Sequence, residues 1–435
     1  MNKLLGTLVS ILFFVALNAQ KSTQVVAKKD STNKFTDSIR SLPPLEIKAI
    51  RLSEQAPFAK TNISKAQIAL NNVGQDLPFL LENTPSVVVH ADAGIGVGYT
   101  GIRIRGTDAT RINFTLNGIP YNDAESMGTF FVNIPDFGSS VNSIQIQRGV
   151  GTSTNGAGAF GASVNLMTNE YNPNAYLSLQ NTAGSFNSFK NNLVFGSGLI
   201  NNKFTFDGRV SSIRSDGFID RANSDLKSFF LSSTYWGEKS SLRLNIFSGK
   251  EKTYQAWYGV PQELLATNRT FNPAGTEKAD APYENQTDNY TQTHYQLFYN
   301  KNINSNWKWN TAFYLTTGKG YYEEYKAGVN FSDYNIDVKG KQNVPADLVR
   351  RRWLDNNFYG QIAAISYVDS LNDVTMGGGW SIYDGLHFGT LPYLDTRLAP
   401  ADYRYYDNDA LKKEMNTYVK WERRLTKTFK SFIDL

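Results

Sequence analysis

The chain has 435 residues, with 44 Lys and Arg against 39 Asp and Glu, a formal charge of +5, 34 Gly, 24 Tyr and 27 Phe. It has no cysteine, which excludes a disulfide framework, a thiolate metal site and a cysteine nucleophile. The small positive charge is spread along the chain rather than clustered, so it gives no footprint for nucleic acid.

The N-terminus, MNKLLGTLVSILFFVALNAQ, places Lys3 before an apolar run over residues 4–17. That run has the length of a signal-peptide core and falls short of the ~20 residues of a spanning helix. Residues 1–19 are therefore expected to be an export signal, cut after Ala19. No later stretch approaches ~18 uninterrupted apolar residues, so any membrane crossing has to use strands. Residues 20–56 form a polar lead, too poor in apolar side chains in its first part to fold alone. Behind Pro43 and Pro44, the residues Leu45, Glu46, Ile47, Lys48, Ala49 and Ile50 make an extended hexamer. It reads either as a plain linker or as a strand to be added to a partner's sheet edge.

Residues 57–170 read as a glycine-rich α/β domain. Short helices are expected in SKAQIALNN and in the first half of GQDLPFLLENTPSVVV. Strands are expected in GIRIRGT, RINFTLNGIPY, VNSIQIQRG and ASVNLMTNE, from period-two alternation and flanking turns. The domain holds two G-x-G-x-x-G matches, at residues 96–101 and 156–161. A dinucleotide loop needs a helix opening on the third glycine and an acid about 20 residues on. Each match here runs into strand-like sequence, leaving no helix N-terminus for a pyrophosphate. The glycines are expected to serve positive φ and close packing instead.

Over residues 171–435, segments of about ten residues alternate in polarity. KFTFDGRVSS sets Phe204, Phe206 and Val210 against Thr205, Asp207 and Arg209; SSLRLNIFSG sets Leu242, Leu244 and Ile246 against Ser241, Arg243 and Asn245. Trp307, Trp309, Phe313 and Leu315 repeat the pattern, as do Val374, Met376, Trp380 and Ile382. Such segments suit tilted strands of ~9–11 residues across a bilayer. About eleven are expected, with short links near 196–203, 236–240, 302–306, 369–373 and 424–428. Long links are expected at 252–289, 318–356 and 385–413, and a medium one at 215–225. Short turns on one side and long loops on the other mark an outer-membrane barrel. The expected fold is a transmembrane β-barrel with the N-terminal α/β domain in its lumen. Eleven strands leave edges that lipid cannot satisfy. The segment is therefore read as part of a 22-stranded barrel, with about 260 further residues to come.

The stretches DLPFLLENTPSVVV, GIRIRGTDATRINFTLNGIPYND and VNSIQIQRGVGTSTNGAGAFGASVNLMTN, in that order, resemble the TonB-dependent outer-membrane receptors. The likeness covers nearly the whole chain after the signal. It implies a plug inside a 22-stranded monomeric barrel set in outer-membrane lipid and lipopolysaccharide, with no enzyme activity and no cofactor. It also implies that residues 45–51 are the TonB box, through which TonB and the ExbB–ExbD motor energise import. The implied cargo is a scarce ligand, first an iron–siderophore or other metal chelate, because the carboxypeptidase-like domain common in the family's glycan importers is missing. Cobalamin or oligosaccharide import, and a passive porin or adhesin, are the alternatives. The chain departs from the family in ending halfway through the barrel, without an aromatic C-terminal residue.

Arg103, Arg105 and Arg148 lie on plug strands and are expected to pair with the barrel wall. By resemblance, the plug's outward loops at 92–99 and 121–128, with Tyr99, Tyr121, Asn122 and Asp123, meet the ligand. Trp257, Tyr258, Tyr321, Tyr322 and Trp353, with the run Arg350, Arg351 and Arg352, would line the vestibule and attract an anionic chelate. The YYEE stretch at 321–324 offers carboxylates for Ca²⁺ or for nothing. His90, His294 and His387 stand in no metalloprotease frame, and no G-x-S-x-G elbow occurs.

Overall fold

A computed structural model describes residues 51–52, 58–155, 158–168, 171–336, 345–393, 400 and 402–435, all within the compact unit 44–435. The expected signal at 1–19 and the hexamer at 45–50 lie outside the described residues. Among the described residues no helix is long and apolar enough to cross a membrane.

The N-terminal domain comprises β1 (Lys60–Ser64), α1 (Lys65–Asn71), β2 (Val87–Ala91), β3 (Thr100–Ile104), β4 (Ile112–Leu116), β5 (Ile119–Pro120), β6 (Ser143–Arg148) and β7 (Ala162–Met167). Ser64 and Gln67 close a capping box that starts α1. The second expected helix is a single 3₁₀ turn, Leu77–Leu81, capped by Asp76. It stops there because Pro85 pushes Thr84 toward extended backbone. Five strands pair in the order β1-β6-β7-β4-β5, with β4 and β7 parallel, and β2 and β3 make a separate hairpin. Phe114, Ile144, Ile146, Val164 and Leu166 fill the core with no exposed surface. β7 starts directly after Gly161, so the second glycine match opens a strand and not a helix.

The rest of the chain is one antiparallel sheet of eleven strands in sequence order. These are β8 (Ala175–Gly184), β9 (Ser188–Ser197), β10 (Phe204–Ser215), β11 (Ser224–Trp236), β12 (Ser240–Tyr254), β13 (Thr287–Asn302), β14 (Trp307–Asn330), β15 (Pro345–Val368), β16 (Asn372–Thr390), β17 (Arg404–Arg424) and β18 (Lys430–Asp434). Phe206, Val210, Leu244, Trp309 and Phe313 point outward and are exposed, while Thr205, Arg209, Arg243 and Asn245 point inward and are buried. This is the period-two pattern read from the sequence, with the plug domain on the polar side.

The short links fall where expected, but two of the long ones are corrected. Residues 318–356 and 385–413 are mostly strand. β14 and β15 run for 24 residues each, and β16 and β17 for 19 and 21. Cross-strand pairs hold these extensions. Arg351 Nε lies 2.6 Å from Glu323 Oε2, and Arg350 Nη2 lies 2.8 Å from Glu324 Oε2. A small apolar cluster of Tyr334, Ile336, Leu391 and Tyr405 packs at the tips. The cluster ties the tips of β14 to β17 together, a tie that a lone two-stranded hairpin, marginal in water, would lack.

Candidate functional site

Among the contacts that join the plug to the wall, three polar clusters stand out, beside others such as Asn117 Nδ2 donating to Gln296 Oε1 and Ser153 N donating to Asp434 Oδ2. The deepest surrounds Asp136, at the 3₁₀ turn Phe137–Ser140, where the backbone takes a left-handed φ of 54°. Its side chain is fully buried. Lys190 Nζ lies 2.7 Å from Oδ1 and Arg209 Nη1 lies 3.5 Å from Oδ2. Ser211 and Asn192 of the wall donate to Oδ2, and Ser139 of the plug donates to Oδ1. Arg209 also donates from Nε to Ser140 Oγ. Burial alone would raise this carboxyl; Arg209 and Lys190 outweigh it and hold the group below its ordinary range. Beside it, Gly249 of β12 has no room for a side chain: a Cβ there would overlap the Asn133 carbonyl oxygen and crowd Pro135.

The second contact lies at the outer end. The Tyr99 hydroxyl donates to Asp288 Oδ2 at 2.5 Å, and Glu251 Oε1 lies 3.3 Å from it. Burial first, and then the two carboxylates, push this phenol well above its usual range, so it stays a donor. Over it stands Trp257, edge-on to Tyr99 at 5.5 Å and to Tyr322 at 6.2 Å, with Tyr258 6.2 Å away. Tyr258 donates to Glu324 at 3.3 Å. The result is an aromatic wall above hydrogen-bond acceptors. In the third contact, Glu125 Oε2 accepts from the Tyr383 hydroxyl and sits 2.8 Å from His387 Nε2, while Lys412 donates to the Ala124 carbonyl.

Of the expected ligand residues, the structure brings Tyr99, Trp257, Tyr258 and Tyr322 together. Tyr321 and Trp353 are corrected. Alternation along β14 and β15 turns them to the opposite, outward face, where they pair with ring centroids 4.5 Å apart. Tyr121, Asn122 and Asp123 hold their own loop. Tyr121 donates to Phe130 O, Asn122 bridges Phe114 N and Ile112 O, and Asp123 accepts from Ser126 N. The arginine run is largely spent within the hairpin, with Arg352 on the Tyr322 hydroxyl at 3.0 Å. The same pairing occupies the carboxylates of YYEE. Arg103 and Arg105 are exposed and Arg148 is half-buried, and among the described residues none makes an ion pair. The buried plug-to-wall ion cluster at Asp136 has the reverse polarity: acid on the plug, cations on the wall. Sequence reading missed Asp136, whose only signal is the inward-facing Lys190 and Arg209 in strands that otherwise bury Asn and Ser.

A titrating group sits under the same domain. Burial raises the Asp76 carboxyl to about 7, against the pull of the Thr100 hydroxyl and the Leu77 N–H. Unfolded, it titrates near ~3.9, so the native state holds the extra proton between these values. Stability is then expected to fall as pH rises from about 4 to about 7 and to level off above. Asp76→Asn should flatten that slope and raise the urea midpoint at pH 8 relative to the parent. An identical slope in both proteins would remove Asp76 as its source.

A globular domain pinned by a buried ion cluster to the polar face of an antiparallel sheet is the architecture of a plugged β-barrel. Residues 53–163 match the family model described as the TonB-dependent Receptor Plug Domain. Among solved structures, the chain is similar to FpvA of P. aeruginosa bound to heterologous pyoverdines, with a TM-score of 0.65, 11% identity, and 87% of this chain and 51% of that one covered. It is also similar to the ferric-catecholate import receptor Fiu of E. coli K12, at 0.62, 15%, 86% and 58%. For the siderophore receptor PiuA of Acinetobacter baumannii the values are 0.58, 14%, 90% and 63%. The chain thus has the fold of a TonB-dependent receptor, with the plug and part of the barrel, and spans 51% of FpvA and 58% of Fiu. No curated protein sequence gives a match.

Proposed function

We propose that the protein is an energised importer of a metal chelate across the outer membrane, with a siderophore complex as the first candidate. The observation that carries this reading is the Asp136 seat, which fixes the plug to the wall while the Tyr99–Trp257–Tyr322 cluster stands over it. A passive porin has no use for a buried anchor of this kind. The names of similar structures point the same way, as receptors of pyoverdines and ferric catecholates and a copper transporter. In this reading residues 1–19 direct export and TonB, driven by ExbB–ExbD, adds a strand to residues 45–50. The ligand meets aromatic faces and carboxylate acceptors rather than free guanidinium groups, because Arg350 and Arg351 are already paired.

Uptake of ferric hydroxamates, ferric catecholates, cobalamin and oligosaccharides by cells, with and without residues 45–50, tests the proposal. Loss of uptake of one ferric chelate on deletion, with its surface binding kept, is the expected result. Uptake that survives the deletion for every ligand would end it. Trp257→Ala should weaken binding of the same chelate about tenfold, in line with loss of one buried aromatic contact.

A further inference from the structure

A cavity of about 230 Å³ lies between α1 of the plug and the inward face of β8 to β12. One face of α1 lines it, from Lys65 to the C-cap Asn72. The opposite side is wall: Tyr176 of β8, Asp207 and Arg209 of β10, Ser232 of β11 and Arg243 of β12. The space therefore faces the plug and not lipid, and it shares no residue with the Tyr99–Trp257–Tyr322 cluster at the outer end.

Arg243 is the unusual member of this lining. It is 3% exposed, yet among the described residues it makes no ion pair. Its Nε–H donates to Thr234 Oγ1 at 2.8 Å, and its guanidinium carbon stands 5.8 Å from the Trp236 ring. The four Nη–H donors have no protein acceptor among the described residues. Asp207, the sole carboxylate among the described lining residues, lies beyond ion-pair distance of Arg243 and accepts from the Tyr176 hydroxyl at 2.8 Å. Arg209 is already shared with Asp136, which Lys190 also pairs. Lys190, Arg209 and Arg243 thus stand against Asp136 and Asp207, with Lys65 exposed at the rim. A buried cation normally has a counter-charge, and one is missing here. Strand register adds a second donor. Ser232 lies one inward position from Thr234, the partner of Arg243, and one from Phe230, the partner of Arg209. Its hydroxyl lines the cavity between the two arginines and has no protein partner among the described residues.

We propose that this cavity binds a small oxyanion, held by the Arg243 guanidinium and the Ser232 hydroxyl, and that the bound anion steadies the plug against the wall. A guanidinium offers two parallel N–H donors to such a group, and the space holds it with several waters, each filling ~30 Å³. The site needs only plug against wall, so it stands or falls apart from import. Calorimetric titration of the solubilised protein with inorganic phosphate, at constant ionic strength in chloride, should show one saturable site. Arg243→Gln should weaken it about thirtyfold or more, as removal of one partner of a buried charged contact does. Arg243→Lys should keep an intermediate affinity, and Lys319→Gln, on the outward face, should change nothing. Phosphate should also slow proteolytic cutting within residues 58–168 in the parent and leave the rate in Arg243→Gln unaltered, because a ligand bound to the seated form stabilises it. An unchanged circular dichroism spectrum shows the Gln variant to be folded. Ser232→Ala, which removes one hydroxyl, provides the second reading and should lose several-fold in affinity. Absence of saturable phosphate binding by the parent would overturn the proposal, as would chloride competing as well as phosphate. Parent-like affinity in folded Arg243→Gln, or in Ser232→Ala where the Gln variant fails to fold, would also overturn it.

Discussion

Asp136→Ala is expected to unseat the plug. The change leaves Lys190 and Arg209 facing each other with side chains 1% and 2% exposed and no carboxylate between them. Breaking a buried pair by removing one partner costs about 3–5 kcal/mol, because the surviving charge is stranded. Two cations are stranded here, so the loss should sit at the upper end of that range or the plug should swing away and let water in. Limited proteolysis of the solubilised protein should then cut within residues 58–168 faster than in the parent. Asp136→Leu combined with Lys190→Met and Arg209→Met should recover much of the protection, since apolar replacement of a whole buried charge cluster is often neutral or stabilising. Unchanged protease resistance in the single Ala variant would mean that the seat lies elsewhere.

Gly249→Leu should have an effect of similar size by a different route. The residue faces inward on β12, opposite the backbone of the plug segment 133–136. Even one added carbon overlaps the Asn133 carbonyl oxygen, and backbone cannot rotate aside as a side chain can. Overpacking by single methylenes costs about 1–3 kcal/mol, and a leucine at a backbone contact exceeds that. The sheet should still form, because Gly249 pairs with Ser228 and Gln292 through backbone that the change leaves intact. The β-sheet signal in far-ultraviolet circular dichroism should therefore persist while the plug becomes cleavable. Loss of both would show that β12 itself had failed. Gly249→Leu placed on the Asp136→Ala background should add little, since both act on one segment.

Much of this architecture was legible from periodicity. Phe204, Phe206 and Val210 declare their side of β10 by alternation alone, and β11 to β14 repeat the device, with short turns after β11 and β13 and a long link after β12. The capping box at Ser64 and the alternating IRIRG and INFTL runs did the same for the plug. Strand length beyond the apolar band was not legible. GKGYYEEYKAG is polar and glycine-bearing, so it reads as loop until its partner run is known. What extends it is the match of Glu323 and Glu324 to Arg351 and Arg350, some 26–28 residues away. The seat was illegible for a related reason. Nothing local distinguishes Asp136 in NIPDFGSS from a turn aspartate; its role comes from Lys190 and Arg209 on two other strands. Arg103, Arg105 and Arg148 suggest anchors by residue type alone, and among the described residues none makes an ion pair. Tyr321 and Trp353 group with Tyr322 only as long as the segment reads as a loop, which has no faces, whereas a strand has two.

That last point bears on how the outer hairpins tolerate change. Surface loops ordinarily absorb insertions and deletions at little cost. β14 and β15 stay in register from the wall out to Lys326, with the single irregularity between Lys326 and Val329. Adding or removing one residue between Leu315 and Tyr321 would rotate everything beyond it by half a repeat, carrying Tyr322 and Glu324 away from Trp257 and bringing Tyr321 in. Length variation among related genes should therefore gather beyond position 326 or arrive in even steps, and the apex, not the shaft, is the place to graft a tag.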